Sequence, residues 1–238
     1  MSGHSKWSQI KRKKAKTDIQ RGKLFSKLAK EIIIAASQGG EDLDLNPSLR
    51  FSVQKAKGFN LPQANILRSI QKGAGKDSQT NYEELFYEAY GVNGVALLIK
   101  TLTDNSTRTV ANIKYILSRN NANMASKGAV RYLFEERGLF IFNPDCNQDF
   151  IIDLASQVNA LDFNIMDDGS IEVYTTIDTF DTIRTFFEKN NAIFETALLT
   201  YIPSSTVFLS PDLQTQLDNL IDALDDDDDV QDIYTNSQ

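Results

Sequence analysis

The chain has 238 residues, 41% hydrophobic and 24% charged, the composition of a globular protein of two or three domains; no apolar run approaches the roughly 20 residues of a membrane span. A single cysteine, Cys146, and a single histidine, His4, exclude disulfide frameworks, multi-thiolate or His-based zinc sites, and Ser-His-Asp triads in the folded body. The net charge of −7 is unevenly divided: residues 1–76 hold 16 Lys+Arg against 5 Asp+Glu, while residues 77–238 hold 9 against 27. Such asymmetry points to a polyanion-binding front joined to an acidic body.

Residues 1–20 read as a basic arm. Lys6, Lys11, Arg12, Lys13, Lys14 and Lys16 put charge on every side of any helix drawn through them, and only Trp7, Ile10 and Ile19 can pack. A segment that buries so little is expected to order only on a partner. It leads into no signal-peptide core, and with the lone thiol this predicts a cytoplasmic protein. Residues 21–76 read as three short helices. Leu24, Phe25, Leu28, Ile32 and Ala35 recur at helical spacing up to Gly39-Gly40. Asn46-Pro47 opens a second helix that Gly58 ends; Pro62 opens a third that stops at Gly73. The stretch from Gly73 to Asn81 reads as a linker, and its Gly73-Ala74-Gly75-Lys76 lacks phosphate-loop spacing.

Beyond the linker, strands and helices alternate. Strands 84–90 and 95–101 flank a hairpin turn at Gly91-Val92-Asn93-Gly94, and a helix follows over 107–119. A second hairpin is expected from strands 130–134 and 139–142 around Glu135-Glu136-Arg137-Gly138. Then come a helix through Phe150, Ile151, Leu154 and Val158, and strands 161–166 and 170–176 around Asp167-Asp168-Gly169. After them follow a helix with Phe180, Ile183 and Phe187, strand 197–202, a helix with Leu213, Leu217, Leu220 and Leu224, and a last strand at 230–234. Hairpins mixed with helices predict an α+β multidomain protein with antiparallel sheets.

On the first helix, Lys23, Lys27 and Lys30 fall within about 60° of one another, opposite the apolar stripe, so a lysine row is expected to face outward. With the arm, residues 1–30 carry 10 basic residues against Asp18 alone. Phosphate backbones are held by this density of point charges and guanidinium forks, through counterion release. The candidate nucleic-acid contacts are therefore Lys6, Lys11, Arg12, Lys13, Lys14, Lys16, Arg21, Lys23 and Lys27, with Trp7 able to stack on an unpaired base or to anchor the arm. Asp225 to Asp229 lacks the alternation of a calcium loop and reads as a solvated turn, although it sits at the unfavourable end of the preceding helix dipole. Tyr87, Glu88, Tyr90, Asp104 and Arg108 are the best that an enzyme reading offers, with no spacing that defines an acid–base pair. No catalytic residue, cofactor or metal site is assigned.

Gly3-His4-Ser5-Lys6-Trp7, Lys11-Arg12-Lys13-Lys14-Ala15 and Arg21-Gly22-Lys23-Leu24-Phe25-Ser26-Lys27 resemble the opening of the YebC/PmpR family. The likeness continues through Asn46-Pro47-Ser48-Leu49-Arg50, Tyr87-Glu88-Ala89-Tyr90-Gly91, Leu102-Thr103-Asp104-Asn105, Arg108-Thr109-Val110, Asp168-Gly169-Ser170-Ile171-Glu172-Val173-Tyr174 and Ile202-Pro203-Ser204-Ser205-Thr206-Val207. Asn93 and Asn120-Asn121 stand where the family often has glycine, at turn positions where asparagine tolerates positive φ. The resemblance implies a helical N-terminal domain and two α+β domains, one inserted in the other. On this sequence that divides into 21–76, 82–128 with 197–238, and an inserted 129–196. It also implies a non-enzymatic regulator of gene expression in the cytoplasm, through DNA as a transcriptional regulator or through ribosomal RNA as a translation factor; mitochondrial relatives are translational activators, and bacterial ones are linked to ribosomes making proline-rich stretches. The acidic body is then the surface for the ribosome or transcription machinery, with no membrane partner.

Overall fold

The computed structural model describes residues 18–75 and 82–237, with side chains from residue 21 onward. Helices α1 (Asp18–Gly39), α2 (Pro47–Gly58) and α3 (Gln63–Ala74) form the N-terminal domain around Leu24, Leu28, Ile32, Leu49, Val53, Ala56, Leu61 and Ile66. Asn46 is the knot between the first two. Its side-chain oxygen accepts from the Leu49 amide at 3.0 Å, capping α2. Its amide nitrogen donates to the carbonyls of Ala35 and Gly40, both at 2.8 Å, closing the end of α1. Because all three bonds are lost together in a side chain only 4% exposed, Asn46→Ala is expected to lower stability by about 2–3 kcal/mol, read from urea unfolding. Loss of less than half that would show that water replaces them.

Gly73 does not stop α3, which runs on to Ala74. A Cβ there would stand 2.3 Å from the Ile33 carbonyl oxygen and 2.8 Å from the Ala36 Cβ, so glycine is what lets α3 cross α1 closely.

Strands β1 (Glu83–Tyr90) and β2 (Ala96–Thr103) form the expected hairpin, its turn held by Asn93 at φ 52°. With β3 (Asn123–Met124) and β8 (Val230–Thr235) they make an antiparallel sheet in the order β3-β1-β2-β8. One face packs on α4 (Ser106–Arg119) and α7 (Pro211–Asp225) through Leu97, Ile99, Ile113, Leu117, Leu217 and Leu220. The second sheet, β5-β6-β4-β7, consists of β4 (Phe134–Phe142), β5 (Asp162–Ile165), β6 (Ile171–Thr175) and β7 (Thr196–Pro203). Helices α5 (Gln148–Gln157) and α6 (Phe180–Lys189) cover one face, over a phenylalanine cluster in which Phe140 stacks on Phe180 at 4.8 Å and meets Phe187 edge-on at 5.2 Å. Its other face carries Leu139, Ile141 and Leu198 under Phe59, which follows α2 directly.

Two expectations are corrected here. Residues 135–138 are no hairpin turn but the middle of β4, paired with β7 throughout and with β6 from Gly138 on. A Cβ at Gly138 would lie 2.2 Å from Thr175 Oγ1 and 2.3 Å from Phe180, so this glycine serves close packing under α6. Strand 197–202, expected with residues 82–128, instead joins the second sheet as β7, so the chain re-enters the first sheet only at β8.

Among the described residues, four helices end on an asparagine in the left-handed region: Asn60, Asn121, Asn159 and Asn191, at φ 51–60°. After each, the next amide bonds back to the helix, as Ala192 does to Phe187 at 2.9 Å and Leu61 to Ala56 at 2.9 Å, the pattern of a Schellman cap. Asn121 thus takes the left-handed position of such a cap, as expected from its turn position.

Candidate nucleic-acid interface

Lys23, Lys27 and Lys30 do share one face of α1, but that face meets the end of α7, with Lys27 buried and Lys23 at the solvent rim. Lys23 Nζ lies 2.5 Å from Asp226 Oδ1. Lys27, only 6% exposed, donates to the Asp225 carbonyl at 2.6 Å and has the Asp225 carboxylate at 3.7 Å. Lys30 reaches Asp229 Oδ1 at 3.2 Å and the carbonyls of Asp228 and Leu102 at 3.1 and 3.3 Å. The expected outward row is therefore the counter-surface of the Asp225–Asp229 run, and that run is a docking edge where a solvated turn was expected. The physical reason lies at the end of α7. Its last carbonyls carry the negative pole of the helix, the carboxylates add to it, and the ammonium groups of α1 neutralise both. The Asp226 hydrogen bond accordingly raises the Lys23 pKa.

Asp229 gathers this junction. Its carboxylate accepts from Arg108 Nη2 at 2.7 Å and from Thr109 and Thr103 hydroxyls at 3.0 and 3.3 Å, as well as facing Lys30. Burial pushes its pKa up, but Arg108, Thr109 and Lys30 outweigh burial and hold it below the usual carboxylate range. Leu102-Thr103-Asp104-Asn105 and Arg108-Thr109 are thus a structural motif: Asn105 caps α4 through the Arg108 amide at 3.0 Å, and Arg108 also pairs with Asp104 at 2.8 Å. A second junction lies on α2. Lys55 Nζ sits 2.8 Å from both Glu31 of α1 and Asp232 of β8, tying three elements at one point.

Glu88 is likewise committed to the fold. Its carboxylate accepts from the backbone amides of Gly128 and Val130, both at 2.6 Å, and Arg131 at 2.9 Å. Burial raises its pKa, yet those three amides and the Arg131 charge bring it below the usual range. Tyr90 donates to the Ala129 carbonyl at 3.0 Å. Glu88, Asp104 and Arg108, the core of an enzyme reading, all have structural partners. Among the described residues no three His, Cys, Asp or Glu side chains come together as a metal site, and no helix is long and apolar enough to cross a membrane.

Of the other expected contacts, Lys6, Trp7, Lys11, Arg12, Lys13, Lys14 and Lys16 lie outside the described residues, and Arg21 is exposed on α1. The structure also reveals cations that helical periodicity passed over. Residues 45–76 contain no Asp or Glu at all, yet six Lys and Arg. Arg50 pairs with Asp181 at 2.9 Å and Lys55 is bridged as above. Lys57, Arg68 and Lys72 are exposed and have no ion-pair partner among the described residues. Arg68 and Lys72 stand one turn apart on the outer face of α3, beside exposed Leu67 and Gln71. The signal that marks them is the missing acids, which a count over 1–76 averages away.

The profile of the TACO1/YebC N-terminal domain matches residues 5–76, and that of the TACO1/YebC second and third domain matches residues 82–237. The chain belongs to the TACO1/YebC family. A relative in Nitrosomonas eutropha, described as a probable transcriptional regulatory protein, is 43% identical over 235 residues, 99% of this chain and 98% of its own. Another of the same description in Geobacillus thermodenitrificans is 44% identical over 239 residues, covering 99% and 96%. The crystal structure of a conserved hypothetical protein from Aquifex aeolicus superposes with a TM-score of 0.87 at 36% identity, over 98% of this chain and 97% of that one. This places the helical domain and the two antiparallel sheets within a fold that the TACO1/YebC family shares.

Proposed function

We propose that this TACO1/YebC protein is a non-enzymatic regulator of gene expression that acts by binding nucleic acid, with DNA as the target that a transcriptional role, the one its relatives' descriptions give, would call for. The observation that carries the reading is the acid-free stretch 45–76, which leaves Lys57, Arg68 and Lys72 exposed and unpaired among the described residues. The basic segment from Lys6 to Lys16, with Trp7 and Arg21, extends the same charge. Lys23 and Lys27 are assigned to the domain junction and leave the interface. The remaining body, with 27 acidic residues beyond position 76, repels phosphate and confines contact to the helical end.

The test is the salt dependence of duplex binding by fluorescence anisotropy. Each phosphate contact contributes about −0.9 to the slope of log affinity against log salt on B-DNA. The triple variant Lys57→Ala, Arg68→Ala, Lys72→Ala is expected to flatten the slope by roughly 2–3. A slope unchanged by the triple variant removes α2 and α3 from the interface, and binding indifferent to salt ends the proposal. Ribosome co-sedimentation, compared with promoter footprinting, separates the transcriptional reading from one on ribosomal RNA.

A further inference from the structure

The acidic body contains one stretch without acids. Residues 105–134 hold no Asp or Glu, where the rest of the body carries about one in every five residues, and they include five of the nine Lys and Arg beyond position 76. Two of the five serve the fold. Arg108 pairs with Asp104 and Asp229, while Arg131 lies over the Tyr201 ring at 4.3 Å and donates to the Phe134 carbonyl at 3.1 Å. The other three, Lys114, Arg119 and Lys127, are exposed and have no ion-pair partner among the described residues. Two tyrosines stand among them. Tyr115, 63% exposed, is next to Lys114 on the outer face of α4, with the Arg119 guanidinium 6.0 Å from its ring centre. Tyr132, 73% exposed, closes a loop that is fixed from below, where the Glu88 carboxylate takes the amides of Gly128, Val130 and Arg131 and Tyr90 bonds the Ala129 carbonyl. Edge strand β3 joins α4 to this loop, with α4 on one face of the first sheet and Val130 packed on the other, so the acid-free stretch wraps that edge.

We infer that this wrapped edge is a second nucleic-acid surface, one for unpaired strands. The inference takes its class of ligand from the reading above and widens contact from the helical end to this one strip of the body. Charge names half of the occupant. Cations at Lys114, Arg119 and Lys127, with no carboxylate anywhere in their stretch, ask for an anion, and the acids of the surrounding body keep an extended polyanion on the strip. Asp227, on the flank of α4 towards α7, is bonded by Asn112 at 3.1 Å. The rings name the other half. An exposed tyrosine beside cations offers a planar surface on which a base stacks, and Arg119 adds a guanidinium to the same stack. Bases inside a duplex have their faces covered by their neighbours, so the ligand that these rings fit is a single strand. An acidic protein segment would match the charge and leave the rings without a planar counterpart. The loop contributes preorganisation: Glu88, 6% exposed, already holds three of its amides, so Tyr132 is displayed with little left to order on binding.

The experiment uses the full chain and two labelled probes followed by fluorescence anisotropy, an oligo-dT strand and a mixed-sequence duplex. The double variant Tyr115→Ser, Tyr132→Ser is expected to weaken oligo-dT binding about tenfold or more through lost stacking, with duplex binding unchanged. Tyr115→Phe with Tyr132→Phe keeps both rings and should bind oligo-dT as the unaltered protein does. The triple variant Lys114→Ala, Arg119→Ala, Lys127→Ala is expected to flatten the single-strand salt slope by roughly 2, at about 0.7 for each phosphate contact. Circular dichroism confirms that each variant is folded; should the double serine variant fail, Tyr115→Ser alone carries the test. Oligo-dT affinity indifferent to the serine variant overturns the inference, as does a phenylalanine variant as weak as the serine one. A flattened slope with the tyrosines silent also overturns it and assigns the strip to acidic partners without planar rings. The duplex slope with and without Lys57, Arg68 and Lys72 reports the helical end separately. A steep duplex slope beside silent tyrosine variants therefore defeats the strip alone, while a duplex slope of zero beside a tenfold serine effect leaves the strip standing and defeats the helical end.

Discussion

Lys55→Met is expected to destabilise the protein by about 3–5 kcal/mol, the largest loss from any single side chain described above. The methionine nearly matches the lysine stem, so the loss is electrostatic. Glu31 and Asp232, with side chains 14% and 10% exposed, each stand 2.8 Å from the one ammonium and would both lose it while staying largely buried. Burial alone would lower the Lys55 pKa, but Asp232 and Glu31 reverse this and raise it well above the usual lysine value. The sign follows. A raised folded pKa means that the contribution is fully present below the unfolded value of about 10.4, and is lost only as pH climbs through the folded one. Urea midpoints at pH 7 measure the effect, and a triple variant that also carries Glu31→Gln and Asp232→Asn should recover much of it. A loss under about 1 kcal/mol in Lys55→Met would show that water enters freely and that the bridge is a surface ion pair.

Asp229→Ala is the second large effect, about 3 kcal/mol. It removes the carboxylate that faces Lys30 and one acceptor of the Thr103 and Thr109 hydroxyls, while Arg108, nearly half exposed, regains water. Because the Asp229 and Glu88 pKa values are held below the usual range, their stabilisation is present above about pH 4 and lost as pH falls through the folded values. Stability is therefore expected to be level from neutral to about pH 5 as far as these groups decide it, then to fall. Asp229→Asn should flatten that acid limb. An acid limb identical to that of the unaltered protein would remove Asp229 from the account.

The elements with local signals were legible in the sequence. Asn46-Pro47 opens a helix because its capping bond is made only three residues on, to Leu49, and Asn93 turns a hairpin by its own φ. Glycines were ambiguous, because Gly73 and Gly138 are there for neighbours that approach from elsewhere in the chain, and a punctuation reading sees only the break. The lysine row shows the same limit for charge. A helical wheel separates apolar from charged faces, but it cannot tell water from a carboxylate edge some 200 residues downstream. Lys57, Arg68 and Lys72 escaped for the opposite reason: they follow no stripe, and what sets them apart is the lack of any acid nearby.

The order of the strands bears on how the molecule is made. Between β2 and its sheet partner β8 the chain runs through about 130 residues, including the whole second sheet. A nascent chain can therefore assemble the inner sheet early, whereas the outer one keeps an open edge until β8 has left the ribosome. Until then Lys23, Lys27, Lys30 and Lys55 have none of their C-terminal counter-ions, because Asp225, Asp226, Asp229 and Asp232 arrive with that same stretch. During synthesis the helical domain is thus far more cationic than in the finished protein. It holds its strongest attraction for polyanions at the moment when ribosomal RNA is closest.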